Sequence, residues 1–281
     1  MIYVLVPAYN EAPTVGLLLW KVRQVFTAFP REYQLLVVDD ASTDGTDEVL
    51  APYARALPLT VVTHRERRGY ARSLEELVRL AVTRTDKPRR DVAVVLQADF
   101  SDSPDDIPEL VRRIESGADL ALADYRRREG QGWRENLVRR LLPLVLRRAA
   151  RGFDGRLDWV STLKAARLVA LARLVSERGR GALLAADGWA ADAELLLAAA
   201  PHARRVDVVP VQTAALPRSR PSRARPFAAG WAAWRLARGH RPAVGPAPAP
   251  EAPPAKPPRR SRRGRRGRRA PARPTQPVPS P

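Results

Sequence analysis

Cysteine is absent from the sequence, which excludes disulfides, zinc–thiolate sites and thiol nucleophiles. Histidine is scarce: His64, His202 and His240 are widely separated and lack metal-ligand spacing. Long apolar runs are missing too, since no stretch reaches the roughly 18 uncharged apolar residues of a spanning helix. The opening MIYVLVPAYNE reads directly as a strand, without the basic and apolar regions of a leader peptide. The expectation is a cytoplasmic chain, or one held peripherally on the inner face of the cell membrane. Acid is scarce in one region only. Of the 49 Lys and Arg, 17 lie from Arg218 onward against one acid, Glu251, so that region carries +16 of the net +19. Residues 1–217 are nearly neutral, and their chemistry must rest on carboxylates, guanidiniums and backbone.

What the sequence does contain is alternation. Apolar runs at 2–6, 33–38, 59–62, 91–96 and 118–123 read as buried strands, and helical patterns near 12–28, 46–57, 70–84 and 105–116 separate them. Such alternation predicts an α/β fold, a mostly parallel central sheet with helices on both faces. Further helices are expected near 164–178, 188–200 and 227–238, with a strand at 204–211. A basic amphipathic segment, 133–152, is interrupted by Pro143 and suits either a membrane surface or a helix with an arginine-rich outer face. The expected organisation is a catalytic domain over 1–225, a helical extension over 226–241 and a disordered Pro/Arg-rich tail over 242–281.

Ligands of open parallel sheets gather at the C-terminal strand ends. Three polar clusters fall there: PAYNE after the first strand, DDASTDGT after the second and QADFSDSP after the fourth. Several oxygen ligands at one sheet edge suggest a hard cation, and a divalent cation suggests phosphate. The plainer readings are solvated loops and helix caps, with Asp40 and Thr43 capping the helix near Asp44 and Ser103 capping the one after Pro104. Gly69, within HRERRGYARSL, opens a helix where backbone amides and Arg68 or Arg72 could meet phosphate.

Taken together, VPAYNEAPTV, VVDDASTDGT, QADFSDSP, DWVSTLKAAR, ADAELL and VDVVPV resemble the family 2 glycosyltransferases, whose fold is GT-A. The nearest flavour is the polyprenyl-phosphate sugar transferases, and the resemblance spans roughly residues 2–225. It implies a nucleotide-sugar donor bound by Pro7, Tyr9, Glu11, Asp40, Arg68, Gln97, Asp99 and Arg126. It implies Mg²⁺ or Mn²⁺ on Asp99, although Gln97 stands where the family has the first Asp of an Asp-x-Asp motif. Asp192 matches the family's base, with Glu194 beside it as a second acid or a structural carboxylate bonded to loop amides. Asp158 resembles an acid near the acceptor, Arg139 and Lys164 groups that meet acceptor phosphate, and RSRPSR at 218–223 a loop that closes over the donor. The implied acceptor is a polyprenyl phosphate, the alternative a soluble or cell-envelope glycan. The arginine-rich tail implies an anionic membrane surface as partner. It also leaves open a reading from another class, an inactive transferase domain that binds nucleic acid without sequence specificity.

Overall fold

Apolar residues at both parities of a strand require cover on both faces, and the chain supplies it. The computed structural model describes residues 1–124, 161–186 and 188–211. Seven strands form one sheet: β1 (Ile2–Ala8), β2 (Tyr33–Asp39), β3 (Leu59–Thr63), β4 (Val92–Val95), β5 (Leu120–Asp124), β6 (Lys164–Arg167) and β7 (Val206–Pro210). Their spatial order is β3-β2-β1-β4-β6-β5-β7. β6 runs antiparallel to both its neighbours, and every other pairing is parallel. The expected mostly parallel sheet is therefore present.

The period of two along each strand sorts side chains between two cores. Ile2, Val4, Val6, Leu35, Val37, Val92 and Val94 face one layer with helices α1 (Ala12–Ala28) and α4 (Ile107–Glu115). Tyr3, Leu5, Leu36, Val38, Ala93 and Val95 face the other, with α3 (Tyr70–Arg84), α5 (Leu168–Arg178) and α6 (Trp189–Ala199). Leu5, Leu18, Leu36, Leu74 and Leu110 are fully buried, and each contributes about 1.5–3 kcal/mol of burial. α2 (Thr46–Ala56) connects β2 to β3. The order of elements thus leaves the C-terminal ends of β1, β2 and β4 side by side.

One expected helix is corrected. The pattern at 164–178 reads as a single helix, but its first four residues, KAAR, form β6, and only 168–178 are helical. Alanine is a weak strand former, so local propensity favours helix. Pairing with β4 on one side and β5 on the other overrides it.

Candidate active site

Three left-handed residues mark the loops that follow β1, β2 and β4. Asn10 has a φ of 52°, Ala41 of 58° and Phe100 of 56°, and no other non-glycine among the described residues has a positive φ. Such backbone is costly and persists only where the surroundings hold it in place.

The holding contacts are visible for the first two loops. The Asn10 amide donates to Ser42 Oγ at 2.8 Å, and Asn10 Oδ1 accepts the Thr43 amide at 2.8 Å. Asp44 Oδ2 accepts the Ala12 amide at 3.0 Å, while Thr46 Oγ1 accepts that of Glu11 at 2.9 Å. The β2 loop therefore satisfies amides at the start of α1. Burial pushes the Asp44 carboxyl up, but hydrogen bonds from Thr46 and Ala12 outweigh it and hold the group below its usual range. Tyr9 carries the Arg67 guanidinium over its ring, 4.1 Å from the centroid.

Asp40 and Thr43 do not cap α2, whose cap position is Gly45. Asp40 instead clamps the loop after β3. Its Oδ1 accepts the Arg68 amide at 2.7 Å and meets His64 Nδ1 at 2.7 Å; its Oδ2 accepts the Gly69 amide at 2.8 Å. Gly69 has a φ of 90° and ψ of 162°, backbone that side chains rarely permit. His64 Nε2 reaches Glu76 at 2.8 Å. Burial works against its imidazolium, yet the two carboxylates prevail and raise its pKa.

The loop 97–104 begins with Gln97 and Asp99, both half-buried. Asp99 Oδ1 accepts the Ser101 amide at 2.9 Å, and Oδ2 has no partner among the described residues. Asp102 is buried and takes the Thr162 hydroxyl on both oxygens, at 2.8 and 2.6 Å, tying this loop to the residues before β6. Ser103 accepts the Asp105 amide, the expected cap. The described residues contain no cluster of three acids or histidines that would cage a cation. Asp99 Oδ2 could thus serve as a single carboxylate ligand to a hard cation such as Mg²⁺.

A buried chain of polar groups leads inward from Gln97. Gln97 Nε2 donates to the Tyr70 hydroxyl at 2.7 Å, and that hydroxyl donates to Asp192 Oδ1 at 3.0 Å. Lys164 Nζ, on β6, also donates to Asp192 Oδ1. Asp192 Oδ2 is buried and has no hydrogen-bond partner among the described residues. Burial raises the Asp192 carboxyl from 3.8 to about 6, against the opposing pull of Lys164 and Tyr70. Burial and the Asp192 charge push Tyr70 well above 10, so its hydroxyl stays protonated. Glu194, two residues further along α6, accepts the Ala185 and Ala186 amides on Oε2, both at 2.8 Å.

The structure thus brings Gln97, Asp192 and Lys164 into one network, with Asp99 two residues beyond Gln97. Asp40 lies at the end of β2, across β1 from β4, bonded to the backbone of Arg68. Glu11 anchors the start of α1, where its Oε2 accepts the Thr14 hydroxyl at 3.1 Å. Arg126, Arg139 and Asp158 lie outside the described residues, as do the segment 133–152, the loop 218–223, the helix near 227–238 and the tail. Tyr70 and His64 were missed. The aromatic residue directly after Gly69, at the start of α3, was the available signal for Tyr70.

Comparison with known proteins bears on this geometry. The model of the family described as glycosyl transferase family 2 matches residues 3–172. The undecaprenyl-phosphate 4-deoxy-4-formamido-L-arabinose transferase of Pseudomonas paraeruginosa (strain DSM 24068 / PA7) is 28% identical over 149 residues, 53% of this chain and 42% of that protein. The transferase of the same name from Proteus mirabilis (strain HI4320) is 25% identical over 148 residues, 53% and 44% of the two chains. The chain therefore spans less than half the length of these relatives. Among solved structures, mannosyl-3-phosphoglycerate synthase from Rubrobacter xylanophilus superposes with a TM-score of 0.57 at 18% identity, over 85% of this chain and 74% of that one. Glucosyl-3-phosphoglycerate synthase from Mycobacterium tuberculosis, in complex with Mn²⁺, UDP-glucose and glycerol 3-phosphate, gives 0.52 at 22%, over 79% and 73%. At these identities the likeness establishes a shared fold, GT-A.

Proposed function

Because the chain belongs to glycosyl transferase family 2, we propose that it transfers a hexose from a nucleotide-sugar donor to an acceptor by one inverting displacement. The acceptor oxygen attacks the anomeric carbon as the bond from that carbon to the diphosphate oxygen breaks. The diphosphate leaves with the bonding pair, and an acceptor proton, where there is one, passes to Asp192. The carrying observation is Asp192 itself: buried, raised to about 6, held on one oxygen by Lys164 and Tyr70, with the other unpartnered among the described residues.

In this reading Pro7, Tyr9, Glu11, Asp40, Arg68, Gln97, Asp99 and Arg126 belong to the donor site of a catalytic unit spanning 1–225. Asp99 would hold Mg²⁺ or Mn²⁺, which supplies charge to the leaving diphosphate. A mycobacterial protein of the same fold has been crystallised with Mn²⁺ and UDP-glucose, which supports the choice. Tyr70 and Gln97 orient Asp192 from the donor side, and Lys164 favours its ionised form. Glu194 holds the adjoining loop, while Asp158 and Arg139 belong with the acceptor.

The proposed acceptor is a polyprenyl phosphate, supported by the names of the Pseudomonas and Proteus relatives. The state of Asp192 favours a second reading, a sugar hydroxyl, because a phosphate oxygen arrives deprotonated and needs no base. Proton NMR of the product formed from a UDP- or GDP-hexose tests the mechanism. The anomeric configuration should be opposite to that of the donor; retention would overturn the single displacement.

No helix among the described residues is long and apolar enough to cross a membrane. We assign reversible docking on an anionic leaflet to the tail, whose ten basic residues over 243–281 are each worth up to about 1 kcal/mol near such a surface. A chain ending at residue 242 should stay folded and bind donor normally, yet lose affinity for anionic vesicles in a sedimentation assay. Undiminished pelleting would move the assignment to 133–152.

A further inference from the structure

We propose a second anion site, for a soluble phosphate ester or diphosphate, at the end of the sheet opposite the donor loops. Asp119 precedes β5, and Arg167 closes antiparallel β6 opposite Val92 at the start of β4. The cavity between them, about 470 Å³, therefore opens beyond the N-terminal ends of the parallel strands. Its lining includes Arg89, Asp119, Arg167, Arg173, His202 and Arg204. Small-ligand pockets fall in the same range of size.

Among the residues lining the cavity, the guanidiniums of Arg89, Arg173 and Arg204 exceed what Asp119 neutralises. Arg167 is structural: Nε donates to Asp119 Oδ1 at 3.0 Å, Nη1 to the Arg89 carbonyl at 2.9 Å and Nη2 to the Ala118 carbonyl at 2.9 Å. Its charge cancels that of buried Asp119. Arg204 Nε lies 3.6 Å from Asp119 Oδ2, but that carboxylate is already paired and the Arg204 side chain is 91% exposed. Arg173 makes one long contact, 3.4 Å, to the His202 carbonyl. Arg89 has no side-chain partner among the described residues. Of the neighbouring acids, Asp207 is paired with Arg205 at 2.7 Å, and Glu177 meets His202 in the lining at 3.0 Å.

A convex basic patch would leave such groups apart in water. Here they surround a concavity. Guanidinium forks match phosphate oxygens two at a time. Mutual repulsion among Arg89, Arg173 and Arg204 falls when an anion binds, which makes a polyanion the fitting occupant. The inference does not depend on the donor site.

Calorimetric titration of the full chain with inorganic diphosphate tests it, with a chelator present and ionic strength fixed. Saturable one-site binding is expected, weakened at least about tenfold by Arg173→Gln combined with Arg204→Gln. Both side chains are exposed, so the fold should survive. Asp99→Asn, and Arg262→Gln with Arg263→Gln and Arg265→Gln in the tail, should leave the affinity unchanged. Equal losses in the tail variant, or none in the cavity variant, would overturn the site. Binding to phosphatidylglycerol vesicles should be indifferent to the cavity variant; dependence on Arg173 and Arg204 would overturn the soluble ligand in favour of a lipid headgroup.

Discussion

Asp192→Asn should lower turnover with a hydroxyl acceptor by about two to four orders of magnitude, the usual worth of a positioned base. With a phosphate acceptor the same change should cost less than about tenfold, because no proton has to be removed. The pH dependence follows from the raised carboxyl. In the proposed role Asp192 takes a proton only when ionised, so kcat/KM for a hydroxyl acceptor should fall as pH drops through about 6. The variant should lose that limb. Stability moves the other way: an acid whose folded pKa lies above its unfolded value costs the fold stability as pH rises from 3.8 toward 6. A merely structural Asp192 would lose activity equally for both acceptors, and the wild-type limb would persist in the variant. Tyr70→Phe offers a milder check, since it removes one hydrogen bond to Asp192 and one from Gln97. It should lower kcat more than it raises KM.

Asp99→Asn should reduce transfer by at least about a thousandfold, the scale expected when several kcal/mol of charge stabilisation on the leaving diphosphate disappear. Asn keeps the shape of the side chain and can still accept the Ser101 amide, so the loop 97–104 should fold as before. Gln97→Ala should cost only about tenfold, because it removes a neutral hydrogen bond to Tyr70. The contrast isolates charge from geometry within one short motif. Wild-type turnover by the Asp99→Asn protein would remove the metal from the account.

The sheet was legible because buried parallel strands write themselves as apolar runs, as in IYVLV and YQLLVV. The clustering of polar loops at their C-terminal ends was legible for the same reason. β6 was not. KAAR carries two alanines, and its strand character comes from β4 and β5 rather than from its own residues. That error also hid the neighbourhood of Lys164, which as a helix residue would have had no reason to face Asp192. Tyr70 and Asp192 are 122 residues apart, and nothing local in either segment announces the contact. Asp40 shows a different limit. Its acidic, strand-terminal position was evident, but its bonds to the Arg68 and Gly69 amides depend on a glycine backbone with a φ of 90°. His64 became meaningful only when β3 set it between Asp40 and Glu76.

The loops after β1, β2 and β4 should together form a metal-dependent donor site. Calorimetric titration of the full chain carrying Arg173→Gln and Arg204→Gln, which removes the second anion site, with UDP and GDP in the presence of Mn²⁺ and again with a chelator tests it most directly. One nucleoside diphosphate should bind at a single site and tighten by at least about tenfold when Mn²⁺ is present, as expected if Asp99 holds the ion that neutralises the phosphates. The tightening should vanish in Asp99→Asn. Binding that ignores the chelator, or that tracks only salt concentration as attraction to the basic tail would, contradicts the account.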